Sequence, residues 1–278
     1  MSNAVLFIEL FQPFAQYRNP FTFYYAQTYP LPSRSTVIGM LQNALDDWYG
    51  NRYGCLWDEL KISIHGEFEN SFWNYQSMIK GYPFVKDGIL MMEDKRLYGE
   101  GKKAQRSPVY QEELFNGRLF LFLQGNEELV NELHKALEHP RKILMLGRSE
   151  DVIFIRRVCV ADKVNKISIK GDIKITYPTY IIEKEFPIEN KKYPVFYIPI
   201  SSKFQNNRQE IRYKSDIKQY STKRDVIFES VIYTGRDYSI VLKEGSSIDV
   251  DFYKINDNVY PIIDKWGWLD GSTGCVKG

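Results

Sequence analysis

The chain has 278 residues, 44% of them hydrophobic, a formal charge of +2 and three cysteines, the profile of a folded protein of one or two domains. No apolar run approaches the roughly 20 residues that span a bilayer, and the opening MSNAVLFIEL lacks the basic region of a signal peptide. Cys55, Cys159 and Cys275 are unevenly spaced without a CxxC pair, so a disulfide framework or a zinc site is not expected and a reducing cytoplasm fits.

In chain order, Ala4 to Pro13 (AVLFIELFQP) reads as a buried strand, followed by an aromatic loop. A helix follows through Val37, Ile38, Leu41, Ala44, Leu45 and Trp48, spaced at three and four, ending near WYGN. Pro32 and Ser33 or Ser35 supply its start signals. Two of its residues oppose helix formation. Arg34 sits where the positive end of the helix dipole disfavours a cation, and Gly39 lies inside, at a cost of roughly 1 kcal/mol against alanine.

ELKISIHGEFE alternates as a strand from Glu59 to Glu69, and Tyr82 to Tyr110 is irregular, charged and rich in glycine. GRLFLFLQG is a continuous apolar strand, and Leu129, Leu133, Ala136 and Leu137 make a second amphipathic helix capped by Asn126. KILMLGRSE and DVIFIRRVCVAD add two strands. The repeated order strand–helix–strand predicts an α+β fold with a ferredoxin-like (RNA-recognition-motif-like) domain over 1–161. From 162 to 278 the runs are strand-like with short turns, which predicts a small antiparallel β-rich domain.

Positive charge is concentrated in two segments. Lys95–Arg106 has a balance of +4 and Lys203–Arg224 of +5, leaving the other 244 residues at −7. They read either as solvated loops or as contacts to a polyanion. The aromatic share of 15% fits sheet packing, with base stacking as a second use.

No catalytic motif is assembled. His65 reads as a strand residue on the polar face, His134 and His139 have no metal-ligand spacing, and no phosphate loop or GxSxG is present. No catalytic residue, metal or cofactor is therefore expected. Anion binding has better support, because PSRSTVIG gathers backbone N–H groups, hydroxyls and a guanidinium at one helix start. An anion there would offset the placement of Arg34, and Gly39 would admit a ligand or partner backbone. The alternative is that Arg34 points to solvent and Gly39 packs on the sheet. Gly147, Arg148 and Ser149 form a second such cluster, and Arg18 with Asn19 a third.

FQPFAQYRNPFTFYYAQTYPLPSRSTVIGML resembles the N-terminal signature of the Cas-five family, subunits of type I CRISPR Cascade complexes. AQRSPVYQEELFNGRLFLFL resembles that family's return from its thumb hairpin into a central strand, and LGRSED its segment after the second helix. The resemblance implies a repeat-associated (RAMP) ferredoxin-like domain with a protruding thumb at about 82–110, in a subtype I-B-like member. It implies a non-catalytic role in antiviral defence, capping the five-prime handle of the crRNA. Backbone subunits and a large subunit would be partners, target DNA would be met only through the complex, and no membrane is involved. Ser33, Arg34 and Ser35 would then contact the handle, Arg18 and Asn19 border it, and Lys102, Lys103 and Arg106 belong to the thumb. One branch of the family is a metal-free endoribonuclease using Tyr, Lys and His. Tyr49 and the Lys102–Lys103 pair are available for that role, but the thumb region contains no histidine.

Overall fold

A computed structural model describes residues 4–22, 25–47, 50–79, 84–86, 89–92, 95–96, 106–189, 193–204, 224–235 and 239–271. The elements are β1 (Val5–Ala15), β2 (Tyr25–Ala26), α1 (Arg34–Ala44), α2 (Leu56–Glu59), β3 (Lys61–Ile79), β4 (Phe84–Lys86), β5 (Ile89–Met92) and β6 (Lys95–Arg96). They continue as β7 (Arg106–Gln124), α3 (Glu127–Glu138), β8 (Phe154–Lys170), β9 (Asp172–Lys174), β10 (Tyr180–Ile182) and β11 (Val195–Phe204). The last four are β12 (Arg224–Tyr233), β13 (Ser239–Val241), β14 (Ser247–Ile255) and β15 (Asn258–Ile263).

Strand β1 lies between β7 and β8, antiparallel to both, with Leu6 opposite Leu123 on one side and Val160 on the other. Strand β3 runs antiparallel to β7 from Lys61↔Gln124 to Ile79↔Arg106. The order β3-β7-β1-β8 continues into the hairpin of β14 and β15. Alternation along β1 sends Leu6, Ile8 and Leu10 into a core with Val37 and Leu41 of α1 and Leu129, Leu133 and Leu137 of α3. The intervening Val5 and Phe7 join Phe120 and Phe122 in a second core, closed by Tyr253, Tyr260 and Trp268.

The boundary expected between 161 and 162 falls inside β8, which is continuous from Phe154 to Lys170. Tyr180, Ile198, Ile200 and Val231 from the C-terminal half belong to the same core as α1 and α3. The two halves thus share buried surface. After α3, the described residues contain no helix, as the strand-like runs predict.

Four local expectations need correction. Helix α1 ends at Ala44 rather than near Trp48, and Asp46 takes a positive φ of 55°. Strands β3 and β7 are 19 residues each, longer than their apolar runs, because the outer part of the ladder carries exposed aromatic and polar side chains. KILMLGRSE is not a strand: it makes one isolated bridge, Met145↔Val152, and turns at Gly147, where φ is 114°. Within the stretch read as irregular, β4, β5 and β6 pair with each other.

Candidate functional site

Ser33 caps α1: its Oγ accepts from the N–H of Thr36 and lies 2.9 Å from Thr36 Oγ1 and 3.2 Å from Ser35 Oγ. That satisfies one of the N–H groups every helix start leaves open. Arg34 follows, but its side chain turns into the interior and is 1% exposed. Its Nη1 donates to the Ile200 carbonyl at 2.8 Å, and Nη2 donates to the carbonyls of Trp57 (2.7 Å), Asp58 (3.1 Å) and Leu60 (2.8 Å). These include C-terminal carbonyls of α2, which have no acceptor role within their own helix. Burial draws the guanidinium down to about 10, against the pull of Asp58 and Asp270. Arg34 therefore joins α1, the α2–β3 turn and β11, and it does not present its charge at the surface. The expected contact of Arg34 with a handle is corrected on this ground.

An open groove of about 560 Å³ lies on the outer side of the same helix start. Ser35, Gly39 and Asn43 of α1 form one wall; Arg18, the Gly147–Ser149 turn, and Ser202 and Phe228 complete it. Of the residues singled out from the sequence, Arg18, Ser35, Gly39, Gly147, Arg148 and Ser149 thus converge. Ser33 is buried behind them. Asn19 adjoins Arg18 but serves its own turn, its Oδ1 accepting from Phe21 N at 3.0 Å. Arg106 opens β7 opposite Ile79, at the outer end of the long ladder. Lys102 and Lys103 lie outside the described residues, as does Tyr49.

The converging residues play unequal parts. Arg148 is held by acids: Nη2 meets Asp151 Oδ1 at 2.8 Å and Nη1 meets Glu113 Oε1 at 2.9 Å. Burial opposes its charge, but the bonds to Asp151 and Glu113 prevail and raise its pKa above the ordinary arginine value. The fully buried Asp151 carboxylate also accepts the backbone N–H groups of Gln16 (3.0 Å) and Arg148 (2.8 Å). A Cβ at Gly147 would stand 2.7 Å from Asp151 Oδ2 and 3.0 Å from the Gln16 carbonyl. The Gly-Arg-Ser-Glu-Asp turn is therefore a latch on β1 and β7, with its arginine already neutralised. The i,i+3 spacing of Arg148 and Asp151 is a signal sequence reading had missed.

Arg18 and Gly39 differ. Arg18 is exposed and has no ion pair among the described residues. Gly39 is exposed, and a Cβ added there would meet nothing within 4 Å. No packing among the described residues requires glycine at this place, in the middle of a helix. Across the groove, Phe228 stacks on Tyr197 at 5.1 Å and 16°, and Phe21 sits 5.3 Å from Phe228. Phe21 and Tyr197 are 63% and 53% exposed. Ser202 and Val226 face each other in the β11–β12 ladder. The +5 segment Lys203–Arg224 begins within β11 and ends at the first residue of β12, and its residues 205–223 lie outside the described residues.

His65 is buried rather than on a polar face; it contacts Phe122, and its Nε2 lies 2.9 Å from Ser63 Oγ. Burial alone lowers its pKa to about 3. Among the described residues no three His, Cys, Asp or Glu side chains are grouped to hold a metal, and no helix is long and apolar enough to cross a membrane.

A chain of a CRISPR RNA-guided surveillance complex shares 15% identity, with 86% of this chain and 90% of that one covered and a TM-score of 0.47. A Cas protein crystal structure shares 15%, covering 86% and 95%, with a TM-score of 0.41. A CRISPR protein from Archaeoglobus fulgidus shares 12%, covering 93% and 98%, with a TM-score of 0.38. No curated protein matches the chain. The sequence model of the CRISPR-associated Cas5 proteins matches residues 5–225, most of the chain's length, and the chain belongs to that family.

Proposed function

We propose that this chain is a non-catalytic RNA-binding subunit of a CRISPR effector complex, holding the five-prime handle of the crRNA and joining backbone and large subunits. The order β8-β1-β7-β3, with α1 after β1 and α3 after β7, fits a ferredoxin-like domain. The β3–β7 ladder with β4, β5 and β6 beyond it suits the thumb of that reading. The observation that carries the proposal is Gly39, a helix glycine with empty space before it on the wall of the α1 groove. It lets a ligand backbone approach where a side chain would stand.

Around it the groove offers what single-stranded RNA uses. Arg18 supplies a charge for phosphate, Ser35, Ser149 and Ser202 supply hydroxyls, and Phe228 with Tyr197 supplies ring faces. A non-catalytic role is favoured because His65, buried and neutral, has no route to an RNA 2′-hydroxyl. The test is binding of a repeat-derived RNA to the purified chain. Arg18→Ala should reduce affinity and lower the logarithmic salt slope by roughly 0.7, the share of one phosphate contact to a single strand. An unchanged affinity and slope would place the RNA elsewhere. Specific cleavage of that RNA, with or without divalent metal, would replace this reading by an endoribonuclease.

A further inference from the structure

Strand β8 pairs with β1 from Phe154 to Ala161 and with β14 only from Asp162 onward. In an antiparallel pair, half of a strand's backbone groups point away from the partner. Along Phe154–Val160 no backbone group among the described residues takes those outward groups. A second groove, of about 730 Å³, runs beside this edge between the end of α3 and β8. Its lining is mostly apolar, with Glu138 and Lys142 as a further acid and base, and two of its apolar side chains are bare: Ile143 is 70% exposed and Phe154 50%. Arg156 and Arg157 on its rim are exposed and have no ion pair among the described residues.

Arginines on an open edge are also a device that keeps strands from pairing. That device does not call for large aliphatic and aromatic side chains left bare beside it, which mark a binding surface instead. We infer that the β8 edge receives an extended acidic protein segment as an added strand. Its alternate aliphatic side chains enter the groove beside Ile143 and Phe154, and its carboxylates meet Arg156 and Arg157. Complementary charge selects the partner, main-chain bonds supply the affinity, and the apolar wall sets the register. A nucleic acid would use the arginines and the Phe154 ring but leave Ile143 and the open backbone groups of the strand unused. The inference does not rest on the RNA reading of the α1 groove, which is a separate surface.

The test uses the full chain and an octapeptide of alternating Glu and Val, blocked at both ends, with its Lys–Val counterpart as control. The acidic peptide should bind at least about tenfold more tightly than the basic one. It should slow amide exchange within 154–160, and the double variant Arg156→Glu, Arg157→Glu should reverse the preference while keeping the melting temperature. No binding, equal affinity for both peptides, or protection elsewhere would overturn the inference. So would an eight-residue oligouridine that protects the same amides better than the peptide.

Discussion

Replacing Arg34 by alanine is expected to damage the fold and spare the RNA contact. The guanidinium makes four hydrogen bonds to carbonyl oxygens, but three of them share one nitrogen. Counting the two nitrogens as two charge-assisted contacts, each worth about 1.5–3 kcal/mol net, gives a loss of about 4 kcal/mol. That is a large part of the 5–15 kcal/mol typical of a folded domain. With a urea slope on the order of 3 kcal/mol/M, the unfolding midpoint should fall by a little over 1 M. Arg34→Lys keeps the charge but cannot span acceptors from Ile200 to Trp57, and about half the loss should remain. The assay is urea unfolding followed by circular dichroism, paired with RNA affinity per folded molecule at low urea. A midpoint unchanged within about 0.3 M together with a tenfold loss of RNA affinity would refute the reasoning, because the arginine would then have been facing the ligand.

Further outcomes are expected. Gly39→Ala should raise the stability of the free chain by up to about 1 kcal/mol, since alanine is the better helix former and its Cβ meets nothing; Gly39→Gln should weaken RNA binding at least about tenfold if a backbone enters there. Arg148→Met should cost about 3 kcal/mol, read as a melting temperature lower by about 8 °C, because it leaves the Asp151 and Glu113 carboxylates buried without their cation. His65, held near 3 in the fold against an ordinary value of 6.5, is neutral when folded while the unfolded chain takes up its proton. Its contribution is therefore complete above pH 6.5 and is lost toward pH 3 at about 1.4 kcal/mol per pH unit. His65→Asn should remove one proton from that slope in acid titrations of stability, and an unchanged slope would show the imidazole to be hydrated.

How far the chain could be read without coordinates depends on the reach of each interaction. Helix α3 was legible because its information is local: Asn126 accepts from Glu128 N and Leu129 N, and Leu129, Leu133 and Leu137 recur on one face. The oddity of Arg34 was legible too, but its explanation was not. Its acceptors lie at 57, 58, 60 and 200, and carbonyl oxygens carry no mark of residue type. The LMLG stretch failed as a strand because Gly147 and the buried Asp151 carboxylate bend it, a contact set by Gln16 far upstream. The outer halves of β3 and β7 were missed because Trp73, Tyr75 and Tyr110 are exposed, with Tyr110 packing on Tyr75 and both Trp73 and Tyr110 packing on Tyr25, leaving no burial alternation to detect. For the groove, the individual residues could be picked out, while its completion depends on Ser202 of β11 and Phe228 of β12, far along the chain from α1.

That dependence has a consequence for synthesis on the ribosome. When the first 160 residues have emerged, Arg34 still lacks the carbonyl of Ile200, and the groove lacks the side built by Ser202 and Phe228. Another 68 residues must follow, from 160 to 228, which takes roughly 3–14 s at ordinary rates of elongation. Until then the nascent chain has an α1 without its tie to β11 and a groove without its far side. If the groove holds a guide, as proposed, the competence to capture it arrives only with β12, and fragments from interrupted translation would lack it.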